Sequence, residues 1–232
     1  MRVVLAGHEG SKKILTASSW LIDKYLPQDF RVHFLNFGEF HGKLYRGTYI
    51  PLDDSQVGGS MAWSKYIREF IKTMTDDFIV LGLDDYLLSA TLDTERFEAI
   101  QNLMFLDDSI VCGRLCQSGF YSKPEVVVDG EFIQLTPQAG YSVTTQYCIW
   151  RREYLVSLLE RTTTPWDFEL EGSRILNGDG VKVIGTLTPA MKYPDASCLS
   201  PGKWHGVKVW DADPVDISRL VEMGHLKRED LC

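Results

Sequence analysis

Two rhythms of apolar and polar positions run along this chain, and the switches between them mark out its elements. Val3 to Ala6 is a short apolar run broken by Gly7-His8-Glu9-Gly10, after which Ile14, Leu15, Ser18, Leu21, Ile22, Tyr25 and Leu26 recur at helical spacing up to Pro27. That predicts strand, loop, helix. Arg31 to Phe37 predicts a second strand, and Ser60 to Thr73 a second helix with Met61, Ile67, Phe70, Ile71 and Met74 turned to the core. Phe78 to Leu83 is an unbroken apolar run, as in a strand buried on both faces. Leu92 to Leu106 predicts a helix and Ile110 to Leu115 a strand. The run Val126-Val127-Val128-Asp129-Gly130-Glu131-Phe132-Ile133 predicts a hairpin with Asp-Gly at its turn. Trp150 to Glu160 predicts a helix with Tyr154, Leu155, Leu158 and Leu159 inward, and another begins near Pro165, since proline suits a first helical turn. Pro189 to Pro214 reads as irregular loop. In the tail, Ile217, Leu220 and Val221 stand at helical spacing before a stop at Gly224.

This alternating order predicts an α/β domain with a mixed, mainly parallel sheet flanked by helices, spanning 1–232 as one unit with a helical extension at 213–232. In such a domain the ligand site lies at the carboxyl edge of the strands. A length of 232 residues with 44% hydrophobic content is enough for one substantial core. The formal net charge of −8 argues against a nucleic-acid partner, which requires a basic face. No run approaches the ~18 consecutive apolar residues of a membrane span, and the N-terminus lacks a signal peptide's layout, so a cytoplasmic protein is expected. Five cysteines without a CxxC pair predict reduced thiols rather than a disulfide framework or a zinc site.

Chemistry concentrates where the Phe78 to Leu83 strand ends in Asp84-Asp85. Acids after a strand are commonly a solvated turn or a helix cap. A rigid apolar strand that delivers two carboxylates at its carboxyl end also suits a hard divalent cation holding a phosphate. Upstream, Gly58-Gly59-Ser60 opens a helix containing Trp63, and small residues there admit a ligand to backbone N–H groups that favour anions. Gly7 and His8 follow the first strand, where a tight glycine turn is the plain alternative to a nucleotide pocket.

From Gln56 to Leu88, the small-residue helix start, the apolar strand and the acidic tip resemble the core of GT-A glycosyltransferases, in which an Asp-x-Asp binds metal and donor diphosphate. In the best register Leu83 stands at the first acidic position and Asp85 at the second. A second stretch holds Gln146-x-x-x-Trp150-Arg151 followed by Trp166-Asp167-Phe168-Glu169 and Gly172-Ser173-Arg174. It resembles small phage and bacterial glycosyltransferase-like proteins. The resemblance implies a GT-A-like, Rossmann-like fold and transfer of a sugar from a nucleotide-sugar donor, a UDP-sugar, to a hydroxyl of a glycan or small-molecule acceptor, with inversion.

The implied roles are Asp85 and His205 for Mn²⁺ or Mg²⁺, with Asp84 beside the donor; Lys203 for the diphosphate; and Gly7, His8, Gly59, Ser60 and Trp63 around the nucleotide. Proton abstraction needs a carboxylate, and Asp167 and Glu169 are the candidates, Asp167 slightly preferred. They lie two apart at a helix start and so point in different directions. Trp150, Trp166 and Gln146 suit a sugar, through aromatic stacking on C–H faces and hydrogen bonds to hydroxyls, and burial in the core is the rival reading for both tryptophans. Arg151, Arg152 and Arg174 are further phosphate candidates, or partners of neighbouring glutamates. Two rival functions remain. A nucleotidyltransferase would use Lys12 and Lys13 after the first strand, and a non-catalytic nucleotide-sugar or glycan-binding module would account for Leu83 in place of an acid.

Overall fold

A computed structural model of the chain describes residues 1–7, 9–53, 62–117, 124–129, 132–135, 141–194, 199–200, 203–204 and 213–231. Its centre is a nine-stranded mixed sheet in the order β3-β2-β1-β4-β8-β5-β9-β7-β6. The strands are β1 (Arg2–Ala6), β2 (Arg31–Phe37), β3 (Thr48–Leu52), β4 (Phe78–Leu83), β5 (Ile110–Gln117), β6 (Pro124–Asp129), β7 (Phe132–Leu135), β8 (Cys148–Arg151) and β9 (Lys182–Thr186). The first four pair in parallel, β8 is inserted antiparallel between β4 and β5, and β5 pairs in parallel with β9. The β6–β7 hairpin closes the far edge in antiparallel register. A short hairpin, β10 (Leu199–Ser200) and β11 (Lys203–Trp204), stands apart from the sheet, in a stretch the sequence presented as loop.

Among the described residues six α-helices cover the sheet: α1 (Leu15–Tyr25), α2 (Trp63–Lys72), α3 (Thr94–Leu106), α4 (Arg152–Glu160), α5 (Pro165–Asp179) and α6 (Pro214–Glu222). Strand alternation sorts the core into two layers. On one face Val3, Leu5, Phe34 and Val80 pack with residues of α1, α3 and α6; on the other Val4, Ala6, Ile79 and Leu81 pack with α2, α4 and α5. The helix ends obey capping chemistry. Asp93 accepts from the Arg96 amide at 3.0 Å to start α3, Thr164 caps α5 ahead of Pro165, and Gly180 closes α5 in the left-handed region at φ 67°. The tail is tied down rather than trailing. Asp216 of α6 is buried and accepts hydrogen bonds from Lys24 and Tyr25 of α1.

Where the sequence predicted a helix from Trp150, the chain runs as strand through Arg151 and turns helical at Arg152. The run Tyr147-Cys148-Ile149-Trp150 is fully buried between β4 and β5, so lateral strand pairing overrides the helical spacing that begins just after it.

Candidate functional site

In the order β3-β2-β1-β4 the connections run outward from β1 on one side and begin again at β4 on the other. The boundary between β1 and β4 is therefore the topological switch point of the sheet, where the crevice at the carboxyl ends opens. Ala6 is in register with Leu83 there, so Gly7 and Asp84 leave the two strands side by side.

Asp84 is 1% exposed and Asp85 4%. Neither is the solvated turn that an Asp-Asp usually makes. The Asp84 backbone N–H donates to the Ala6 carbonyl at 3.1 Å and prolongs the β1–β4 ladder by one rung. Its Oδ2 accepts from Ser11 Oγ at 2.8 Å and from Asn36 Nδ2 at 3.0 Å, and Asn36 Nδ2 also donates to Ser11 Oγ at 2.9 Å. Asn36 is held in turn by the Phe37 N–H, which donates to its Oδ1 at 2.8 Å. Burial, then the Asp85 charge, push the Asp84 carboxyl well above the usual range, against the smaller downward pull of its hydrogen bonds. Asp84 thus clamps the carboxyl ends of β1, β2 and β4, with Asp85 buried beside it.

Gly7 is required by this clamp. A Cβ on it would lie 1.9 Å from Asp84 Oδ2 and 2.6 Å from Asn36 Nδ2. Its N–H donates to the Leu35 carbonyl at 2.8 Å, and a 3₁₀ turn at Glu9–Ile14 then brings Ser11 back over the edge. Lys12, in the same turn, carries its Nζ to within 2.9 Å of where a Cβ of Gly38 would stand, at the end of β2. Tyr49 donates to the Gly38 carbonyl at 2.6 Å; burial, with Asp84 behind it, pushes its hydroxyl up to about 12.

Beyond β4 the edge continues through aromatic and sulfur groups. Tyr147 stacks against Gly82, where a Cβ would meet its ring at 2.8 Å, and donates from its hydroxyl to the Tyr86 carbonyl at 3.1 Å. Gln146 accepts from Cys116 Sγ at 2.8 Å and contacts the Tyr86 hydroxyl. Tyr86 is held up first by burial and then by the negative fields of Asp85 and Glu169, so both carboxylates lie within electrostatic reach of one ring.

The two acids of α5 have different surroundings. Asp167 Oδ2 accepts from the Thr163 N–H at 2.7 Å and Thr163 Oγ1 at 3.1 Å, while its own N–H donates to Thr164 Oγ1 at 3.0 Å, a reciprocal cap of the helix start. Glu169 Oε1 accepts from the Thr145 N–H at 2.7 Å, Thr145 Oγ1 at 2.8 Å and Thr144 Oγ1 at 3.3 Å. Its Oε2 makes no hydrogen bond among the described residues. One oxygen fixes the loop that enters β8.

Several residues singled out from sequence do not belong to this edge. Trp150 is 0% exposed and packs on Phe168, as Trp63 does from α2, so neither ring is open to a sugar. A large apolar ring between two packed layers is held there by burial alone. Arg151 pairs with Phe78 at the opposite end of β4, about 20 Å of strand away from Asp84. There it donates to the Met104 carbonyl and pairs with Asp108 at 3.2 Å, while Arg152 donates to the Asp76 carbonyl at 3.0 Å. Arg174 pairs with Glu171 at 3.0 Å. Trp166 is 42% exposed at the start of α5. Lys203 falls in β11, of which the backbone alone is described. His8, Gly59, Ser60 and His205 lie outside the described residues. Sequence reasoning missed Ser11, Asn36, Tyr49, Tyr86 and Tyr147. A lone Asn at the end of an apolar strand was the one available signal, since a polar group there needs partners.

A divalent cation can be tested against this donor set. Among the described residues no group of three or more His, Cys, Asp or Glu side chains is arranged to hold a metal. Asp84 is spent on Ser11 and Asn36, which leaves Asp85 as one hard oxygen donor. That fits Mg²⁺-type binding, which uses one or two carboxylates and takes its other oxygens from phosphate and water.

A scan against protein-family models and a search of curated proteins both find no match. Solved structures do resemble the chain. One is CMP:2-keto-3-deoxy-manno-octonic acid synthetase complexed with CTP, at 11% identity and TM-score 0.51, with 96% of this chain and 98% of that one covered. Another is a fragment of S. aureus TarS, residues 1–349, in complex with UDP-GlcNAc, at 13% identity and TM-score 0.50; 86% of this chain is covered, and it spans 61% of that one. At such identities the likeness is one of architecture. The chain therefore has a GT-A-like fold, the Rossmann-like mixed sheet common to glycosyltransferases and nucleotidyltransferases.

Proposed function

We propose that the protein is a glycosyltransferase that moves a sugar from a nucleotide-sugar donor, a UDP-sugar, to a hydroxyl of a glycan or small acceptor. The observation that carries this reading is the buried Asp84-Asp85 tip at the switch point between β1 and β4, with Glu169 and Asp85 both within electrostatic reach of Tyr86. Two carboxylates are kept from water at that edge, and one of them is fixed in place by Ser11 and Asn36. The TarS fragment was solved with UDP-GlcNAc and the synthetase with CTP, which supports a nucleotide in the corresponding crevice.

In this reading Gly7 leaves room for the clamp, Asp84 holds the edge rigid, and Asp85 would hold Mn²⁺ or Mg²⁺ against the donor diphosphate. A bound cation would supply charge neutralisation for the departing nucleoside diphosphate. Glu169, aimed by its Oε1 bonds to Thr144 and Thr145, takes the acceptor hydroxyl proton on Oε2. The acceptor oxygen then bonds to the anomeric carbon as the bond from that carbon to the diphosphate oxygen breaks, a single displacement with inversion. Asp167 serves the helix start. Its reciprocal cap accounts for its place without a catalytic role, which moves the preference for the base to Glu169.

The test is nucleotide release from a panel of nucleotide sugars with Mn²⁺ and a range of acceptors. Release that disappears in Asp85→Ala supports the assignment. Tight donor binding without turnover under any acceptor overturns it in favour of a non-catalytic module. One observation favours a second reading, a nucleotidyltransferase: Ser11, Lys12 and Lys13 sit in a 3₁₀ turn directly after β1, at the same edge as Asp84. Pyrophosphate released from a nucleoside triphosphate and a sugar would select it.

A further inference from the structure

Arg114 lies on β5 in the register row of Cys148, and β5 runs parallel to β4, so the residue approaches the same carboxyl edge of the sheet on the far side of β8. It is the one charged residue in the run Ile110 to Cys116, and it is 4% exposed. Strand alternation puts it on the same face as Cys112 and Cys116. Its Nη1 donates to the Tyr141 carbonyl at a long 3.4 Å, and its Nε, fully buried, makes no hydrogen bond. No Asp or Glu pairs with it among the described residues, and the groups that surround it electrostatically are the thiols of Cys116, Cys148 and Cys112. Burial pushes the Cys116 and Cys148 thiols up, so they remain neutral at physiological pH and supply no counter-charge. A guanidinium removed from water without an opposite charge is costly, and the ordinary resolution is a partner that brings one.

The cover above it has the character of a binding edge. Tyr141 is 42% exposed, so the guanidinium lies one residue beneath the surface. Tyr141 is also the one non-glycine residue with positive φ, 65°, among the described residues, a backbone state that persists in ordered sites where surroundings or ligand enforce it. The following residues 142–146 carry Thr144 and Thr145, which bind Glu169, and Gln146, which accepts from Cys116. Arg114 is thus linked through one short loop to the proposed base, and separated by β8 and β4 from the β1–β2 end where the nucleotide would lie.

We propose that Arg114 anchors an oxyanion subsite on this side of the edge, taking a carboxylate or phosphate carried by the substrate. That the anion belongs to the acceptor or to the transferred sugar rests on the transferase reading; the subsite itself does not. The guanidinium fork suits the paired oxygens of either group better than a lysine would.

Thermal melts with inorganic phosphate, and separately with acetate and pyruvate, against sodium chloride at matched ionic strength, test it. At ten times the dissociation constant a native-state ligand raises the melting temperature of a chain this size by about 3 °C. The expected result is such a rise in the wild type and its loss in Arg114→Met, which melts no lower than wild type because an unpaired buried cation has been replaced by an apolar chain. A larger response to phosphate, or to the two carboxylates, tells which group the subsite takes. An equal rise in Arg114→Met, or no rise with any of the three anions, overturns the proposal. If Arg114→Met does not fold, the Arg114 Nε–H resonance of the wild type decides: it moves on titration, or the subsite is wrong. A wild-type anion response that is lost in Arg114→Met, in a protein that turns over no nucleotide sugar with any acceptor, would leave this subsite standing and the transferase reading refuted.

Discussion

The tip of β4 and the start of α5 each offer two acids, and in each the two members have different surroundings. At the strand tip, Asp84 is absorbed into a clamp with Ser11 and Asn36, and Asp85 is buried beside it. In the helix, Asp167 closes the first turn on Thr163, and Glu169 uses one oxygen on the β8 loop while the other stays open. What separates the regions is solvent. The structural acid of the strand is completely buried beside a second carboxylate and is driven toward its neutral form, whereas the structural acid of the helix is only half-buried at a positive helix end. Position within an element decides which acid builds and which the proposed function can call on; burial decides in what ionic form it builds.

The sharpest way to break this comparison is to remove the acting member of the β4 pair. Asp85→Asn should lower nucleotide release by about 10²–10³-fold, the scale of losing one key electrostatic contact in a water-poor site. Asp84→Asn keeps the acceptor oxygen for Ser11 and Asn36 and should retain most of the rate. Equal losses in the two variants would erase the division of labour.

Next in size is the clamp itself. Gly7→Ala drives a methyl group to 1.9 Å from Asp84 Oδ2, between groups that three strands hold fixed. A cost of about 3 kcal/mol or more is expected in urea unfolding, because overpacking there cannot be relieved by one flexible side chain. A change below about 0.5 kcal/mol, the range of an ordinary surface substitution, would mean the clamp is loose.

Part of this was legible in the chain alone. β2 and β4 fall where the sequence predicted them, β4 because a strand buried on both faces writes itself as a continuous apolar stretch. The β6–β7 hairpin follows from Asp129-Gly130 between two apolar runs, and α5 begins at Pro165 as its first-turn chemistry dictates. β3 and β9 were not foreseen. Thr48–Leu52 is interrupted by Pro51, and Lys182–Thr186 is short and follows a helix without an apolar break, so only pairing with β2 and β5 makes them strands. In the site, the acidic tip was readable because it follows a strand. Ser11, Asn36 and Arg114 were not, since their roles arise from partners up to 73 residues away in the chain. Trp63 and Trp150 misled for a related reason: an aromatic that suits a sugar face also suits a core, and composition cannot say which side of a layer it occupies.

The helix pair gives the third test. Glu169→Gln retains an oxygen for Thr144 and Thr145, so the β8 loop should hold while the rate falls about 10²-fold or more through loss of the base. Asp167→Ala should cost about 1 kcal/mol of stability, the usual size of a helix cap, and leave the rate near wild type. Should the rate collapse in Asp167→Ala and survive in Glu169→Gln, the roles within α5 are reversed.

The finest distinction concerns ionic form. An Asp84 carboxyl raised in the folded state keeps a proton there that the unfolded chain releases, so the wild type loses stability as pH climbs from about 4, the ordinary aspartate range, toward the raised folded value. Asp84→Asn has no such proton to surrender. Its melting temperature should therefore match the wild type near pH 4 and gain on it steadily toward neutral pH, the gap levelling once the buried carboxyl has ionised. Thermal melts of both proteins from pH 4 to pH 8 measure that gap directly. A gap that stays constant would mean that Asp84 is as ionised in the sheet as in the unfolded chain. The strand tip and the helix start would then differ in their hydrogen-bond partners alone, and the effect of burial on the clamp would be absent.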